Sequence, residues 1–180
     1  MKKSTVTGIK DIAYMGMAVA LIEAGKAALS FAPNIELTSF WIIMFTLFMG
    51  WKVMFIIPAF IAIEAAIYGV HVWVLMYLYI WPLLAVLTMI FRKNDFALFW
   101  AILSGFFGLF FGALCAPAQI LLVSHPENMH DFFSAAFTWW VSGIPWDVAH
   151  GIGNFVLMLV LYRPIRIAVN KLDSISRYGT

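Results

Sequence analysis

The sequence predicts an all-α membrane protein, a six-transmembrane-helix bundle with both termini cytoplasmic. Of its 180 residues, 64% are hydrophobic and 11% charged, whereas a water-soluble domain carries about 25% charged residues. The apolar residues gather into runs of roughly the 20 residues that one bilayer crossing needs. Ten of the eleven Lys and Arg residues stand at the ends of those runs, always on what would be one side of the membrane if the chain crosses six times. These are Lys2, Lys3 and Lys10, then Lys52, then Arg92 and Lys93, then Arg163, Arg166, Lys171 and Arg177. Because cytoplasmic loops collect Lys and Arg, that side is expected to be inside. Lys26 is the exception.

The predicted helices are 9–31, 35–50, 53–69, 72–91, 96–122 and 136–162, within a single integral-membrane domain, 1–180. The first is stopped by Pro33-Asn34, and Gly50-Trp51-Lys52 separates the second from the third. Gly69 and His71 part the third from the fourth, and the polar run Arg92-Lys93-Asn94-Asp95 is an interfacial turn. Ser124 to Asp131, opened by His125-Pro126, is the longest outer loop. The second helix is short for a full span and is expected to tilt. The N-terminal run lacks a small-residue cleavage site and holds Glu23 and Lys26, so it is expected to stay as a helix rather than act as a signal peptide.

Composition excludes several classes of function. A net charge of +2, concentrated in the anchoring clusters, marks topology and not nucleic-acid binding. The lone Cys115 can form no intrachain disulfide and no thiolate metal site. No Gly-x-x-x-x-Gly-Lys-Ser/Thr loop is present, so the chain is not expected to hydrolyse ATP. No cofactor and no metal is expected.

Two stripes of small residues recur at helical spacing. One is Gly16, Ala20, Ala24 and Ala28; the other is Ser104, Gly108, Gly112 and Ala116. Helices in lipid associate through such faces, so both are packing surfaces, within the bundle or toward another protein. A charged side chain at bilayer depth costs about 2.5–3.5 kcal/mol and marks a cavity or a pair. Glu23 and Lys26, three apart, form either a structural pair or part of a ligand site. Asp147, His150 and Asn154 share one face of the sixth helix, as a buried hydrogen-bonded set or as ligand contacts. With the basic ends inside, Lys26, Glu64 and Asp147 fall in the outer half of the membrane. That suggests a polar pocket open outward and sealed below, with walls from Tyr68, Tyr77, Tyr79, Trp81 and Trp146 and with Asn34 and Glu36 at its mouth. Aromatic walls with a few convergent polar groups suit a flat, polar heterocycle.

The six-helix layout, the stripe on the first helix, the turn Pro33-Asn34-Ile35-Glu36 and the segment Gly143-Ile144-Pro145-Trp146-Asp147-Val148-Ala149-His150-Gly151-Ile152-Gly153-Asn154-Phe155 together resemble the substrate-binding S-components of energy-coupling factor (ECF-type) vitamin transporters. The likeness spans almost the whole chain. It implies a bacterial cell-membrane protein that captures a water-soluble vitamin or precursor from outside and topples to release it inward. Its implied partners are a transmembrane coupling subunit and two ATPase subunits, in addition to the vitamin-like ligand and the bilayer. In that family an Ala-x-x-x-Ala pattern docks on the coupling subunit; the matching positions are Gly16, Ala20 and Ala24, with glycine departing from alanine at the first. Cobalamin, pyridoxine and aminopyrimidine ligands are all compatible with the sequence. An amidine edge would pair with Glu64 or Asp147, and an anionic vitamin with Lys26 or His150. The rivals are a stand-alone proton-coupled carrier, which commonly shows repeat halves that are not seen here, and an intramembrane hydrolase. The hydrolase would need a nucleophile beside Asp147 and His150, and the nearest, Ser142, has no nucleophile elbow around it.

Overall fold

The computed structural model describes residues 8–178, with side chains placed as far as residue 171. Lys2 and Lys3 lie outside the described residues, as does the side chain of Arg177. The chain forms α1 (Ile9–Ala28), α2 (Thr38–Met49), a single tight turn Gly50–Lys52, α3 (Val53–Tyr68) and α4 (Val72–Phe91). It continues through α5 (Ala97–Leu109), α6 (Phe111–Gln119), a widened π turn Ile120–Ser124 and α7 (Met129–Tyr178). No strand occurs among the described residues. Four helical stretches are long and apolar enough to cross a membrane: Thr38–Tyr68, Val72–Phe91, Ala97–Ser124 and Met129–Lys171. The first of them holds 31 residues, more than one crossing needs, and it breaks at Gly50, whose φ of +61° suits only glycine without strain. The 20-residue α1 has the length of a crossing, but Lys10, Asp11, Glu23 and Lys26 make it the most polar helix of its size.

The boundaries depart from the expected ones where a local bond or a tertiary contact overrides the pattern. The first helix stops at Ala28 instead of 31, and the second starts at Thr38 instead of 35. The intervening loop turns through Asn34, held at φ +58°, and packs inward, so that a Cβ on Gly153 of α7 would lie 3.1 Å from Ile35 Cγ2. The expected fifth helix, 96–122, is divided at Phe110. The sixth begins at Met129 rather than 136 and runs past 162 to Tyr178. Asn128 caps it: its Oδ1 accepts the Asp131 N–H at 2.9 Å while its Nδ2 donates to Asp131 Oδ2 at 2.8 Å. The loop before α7 therefore shrinks to residues 125–128. Pro145 does not break α7, because neighbouring helices hold a membrane helix straight where a proline has removed one hydrogen bond.

Packing is tightest where α5 and α6 meet α7. A Cβ on Gly108 would lie 2.9 Å from Gly151 Cα, and one on Gly151 would lie 2.5 Å from Leu109 Cγ. Only hydrogen fits at either place, so the backbones come close enough for dispersion contact along the seam. Ser104, Gly108, Gly112 and Ala116 are all buried there. The stripe on α1 behaves oppositely: Gly16, Ala20, Ala24 and Ala28 are exposed, while Ala18, Val19, Ile22 and Gly25 on the other face are buried. At one end of the bundle Lys52 Nζ bonds Asp11 Oδ1 and Arg166 Nη2 bonds Asp95 Oδ1, each at 2.6 Å. Lys26 lies about 22 Å along α1 from Asp11 at 1.5 Å per residue, toward the opposite end.

Candidate functional site

At that opposite end a cavity of about 330 Å³ opens between α1, the 29–37 loop, α3, α4, α6 and α7. Its polar lining is Lys26, Ser30, Asn34, Glu36, Tyr68, Tyr77, Asp147 and His150, and Phe111 adds an aromatic face. Chain segments distant in sequence converge here, most of them at or near a helix end and α7 at its middle, through Asp147 and His150. Lys26 is near the end of α1 and Tyr68 ends α3; Tyr77 is in the second turn of α4, and Phe111 starts α6.

Lys26 does not pair with Glu23 one turn earlier. Its ammonium turns instead to Glu64 Oε2 on α3, in a contact where Glu64 is almost fully buried. The ammonium also lies 5.5 Å from the Phe60 ring centroid and 5.8 Å from that of Tyr77. Carboxylate and aromatic faces together replace the water that a buried ammonium loses. Glu23 faces the same Glu64 carboxyl, and its Oε1, like Glu64 Oε1, is buried without a hydrogen-bond partner.

Asp147 and His150 are 7% and 5% exposed, and both line the cavity. Asp147 Oδ1 accepts the backbone N–H of Gly112 at 3.0 Å. Gly112 sits in the first turn of α6, where backbone N–H groups have no partner within the helix. The break at Phe110 thus exposes a donor, and a carboxylate from another helix caps it. A Cβ on Gly112 would stand 2.5 Å from Asp147 Oδ2, so glycine alone lets the two approach. Asp147 Oδ2 and His150 Nε2 are buried without a hydrogen-bond partner, and the Trp140 indole N–H, likewise unpaired, interacts with the Asp147 carboxyl. The His150 ring meets Phe111 edge-on at 4.8 Å.

The remaining expected site residues lie elsewhere. Trp81 is fully buried and not part of the lining, packed behind two lining residues, Tyr77 at 5.2 Å and Phe111 at 5.4 Å. Trp146 is 55% exposed and points away from the cavity, because it precedes Asp147 by one position and so falls on another face of α7. Tyr79 is also outside it, with its hydroxyl donating to the Leu114 carbonyl at 2.6 Å. Asn154 lies deeper and is structural: its Nδ2 donates to Ser39 Oγ at 3.1 Å and to the Ser104 carbonyl at 3.3 Å, tying α7 to α2 and α5. Phe111, missed in the sequence, had one signal, the Gly-rich stripe around it. Nothing in the sequence announced the helix break that turns it inward.

No family model, no curated protein and no solved structure matches the chain. The chemistry of the site therefore rests on its own residues. The cavity offers a carboxylate oxygen and an imidazole nitrogen with unused hydrogen-bonding capacity, aromatic faces, and one ammonium already engaged. That is a binding inventory. Ser142, the nearest hydroxyl in sequence, is exposed and donates to the Thr138 carbonyl at 2.8 Å. Among the described residues no three His, Cys, Asp or Glu side chains gather as a metal site.

Proposed function

We propose that the chain is the substrate-capture subunit of an ECF-type importer in a bacterial cell membrane. It crosses the membrane six times with both termini inside, counting α1 and taking α2 and α3 as separate crossings. It takes a vitamin or vitamin precursor from outside and delivers it inward by toppling against a transmembrane coupling subunit driven by two ATPase subunits. The observation that carries this reading is a cavity lined by aromatic and polar side chains, at the end of the bundle away from the Asp11–Lys52 and Asp95–Arg166 pairs. A capture subunit needs a ligand site reached from one side, and behind the lining residues Tyr77 and Phe111 stands the fully buried Trp81, in ring contact with both. The exposed small-residue face of α1 adds support: Gly16 has nothing within 4 Å of where a Cβ would stand, so the face is free to receive a partner helix.

Uptake of released ligand should be measured in proteoliposomes with the chain alone and with a coupling module added. Uptake that requires the module and ATP is the expected result. Uptake by the chain alone, abolished by a protonophore, would instead establish a stand-alone carrier.

A further inference from the structure

The groups that face the cavity differ in how much of their bonding capacity the protein has already used. Lys26 is engaged by Glu64 and by two aromatic rings. A second acid, Glu23, stands on the far side of Glu64. No arginine and no second lysine lines the cavity among the described residues, and the loop contributes Glu36, whose Oε2 accepts the Thr38 hydroxyl at 3.1 Å. From α7 come Asp147 and His150, each more than nine-tenths buried, with Oδ2 and Nε2 lacking a hydrogen-bond partner; the Trp140 indole N–H of the same helix also interacts with the Asp147 carboxyl, which a ligand would share with it. α4 and α6 add only the Tyr77 and Phe111 rings. Carboxyl groups thus outnumber the one ammonium, and that ammonium is spoken for.

We propose that the ligand of this cavity is a small planar heteroaromatic that carries a positive charge or an amidine-type donor edge. This rests on reading the cavity as the ligand site of a capture subunit. The donor edge sits on Asp147 Oδ2 and His150 Nε2, where charge-assisted hydrogen bonds form in a site shielded from water. The ring lies against Tyr77 and Phe111, whose faces attract positive charge. An anionic ligand would have to take Lys26 from Glu64 and leave a buried carboxylate unpaired, at a cost of several kcal/mol. At about 330 Å³ the cavity is at the small end of ligand pockets, which span roughly 300–1,000 Å³. One or two fused rings fit within its walls, and a corrin macrocycle does not.

The test uses the full chain in lipid nanodiscs. Calorimetric titration compares 4-aminopyridinium and 4-amino-2-methylpyrimidine with nicotinate, and mass spectrometry identifies any small molecule released when the wild type is denatured. Asp147→Asn keeps an oxygen for the Gly112 N–H and puts an amide NH₂ in place of Oδ2, so it separates ligand contact from the helix cap; Glu36→Gln serves if that variant fails to fold. The expected result is that the cationic 4-aminopyridinium and the amidine-edged 4-amino-2-methylpyrimidine both bind more tightly than nicotinate, and that Asp147→Asn weakens them roughly 10- to 100-fold with the unfolding temperature unchanged. Preferential binding of nicotinate, or release of an anionic molecule, overturns the ligand class and leaves the capture reading standing. If no probe binds and nothing is released, both fall.

Discussion

The two oxygens of Asp147 have different employment. One caps the first turn of α6 through Gly112 N–H, and the other is buried without a hydrogen-bond partner, near the Trp140 indole N–H. Asp147→Ala should therefore lower both stability and affinity, because it orphans the buried donor at about 1–3 kcal/mol and deletes the free acceptor. Comparing its unfolding temperature and ligand affinity with those of Asp147→Asn checks the division, and a stable Ala variant would refute the cap. Glu64 is held by Lys26, so the effect of its mutation is structural first. Glu64→Ala takes from a mostly buried ammonium the carboxylate it bonds, leaving only the more distant Glu23, and should destabilise by about 3 kcal/mol, whereas Lys26→Met combined with Glu64→Leu should recover most of that loss. Denaturation of both single variants and the double variant decides it; purely additive losses would mean that the pair is not coupled. At this scale the sequence was partly legible. Burial of Glu64, Asp147 and His150 follows from charges placed inside apolar runs. The partner of Lys26 does not, since Glu23 is nearer in sequence and the choice of Glu64 depends on how α1 lies on α3.

Two small-residue stripes of the same spacing have opposite uses. The stripe on α5 and α6 is consumed by the close approach to α7, where a Cβ on Gly108 would meet Gly151 Cα at 2.9 Å. Gly108→Val should therefore force the seam apart and cost about 1–3 kcal/mol, measured by thermal unfolding in detergent; an unchanged unfolding temperature would mean that the seam is not tight. The stripe on α1 is exposed. Ala20→Trp should leave unfolding and ligand affinity as they are but abolish co-purification with a coupling subunit, and a complex that survives would remove α1 as the docking face. Spacing alone made these stripes look equivalent, because it records which residues share a face and not what that face meets. The extent of α7 was likewise hidden. The sequence places its ends at 136 and 162, whereas the helix runs from Met129 to Tyr178.

For the whole molecule, the ion pairs Asp11–Lys52 and Asp95–Arg166 mark one end and the cavity marks the other. The proposed orientation puts the cavity outside. In a background where Cys115, the lone and buried cysteine, is replaced by alanine, Asn34→Cys should react with a membrane-impermeant maleimide on intact cells and Asn94→Cys only after permeabilisation. The reverse pattern would invert the topology.

By itself the sequence determined that the chain is helical and belongs in a membrane, since 64% hydrophobic residues with 11% charged cannot cover a water-soluble surface. It also determined where the costly polar groups lie, because an ionisable residue in an apolar run is visible without any coordinates. The tertiary structure alone decided which of these groups spend their charge on one another and which stay free to meet a ligand. Lys26 and Glu64 are 38 positions apart, and Gly112 and Asp147 are 35 apart. Hydrogen bonds and ion pairs act over a few ångströms, and no periodicity along one helix says which neighbour another helix brings within that distance.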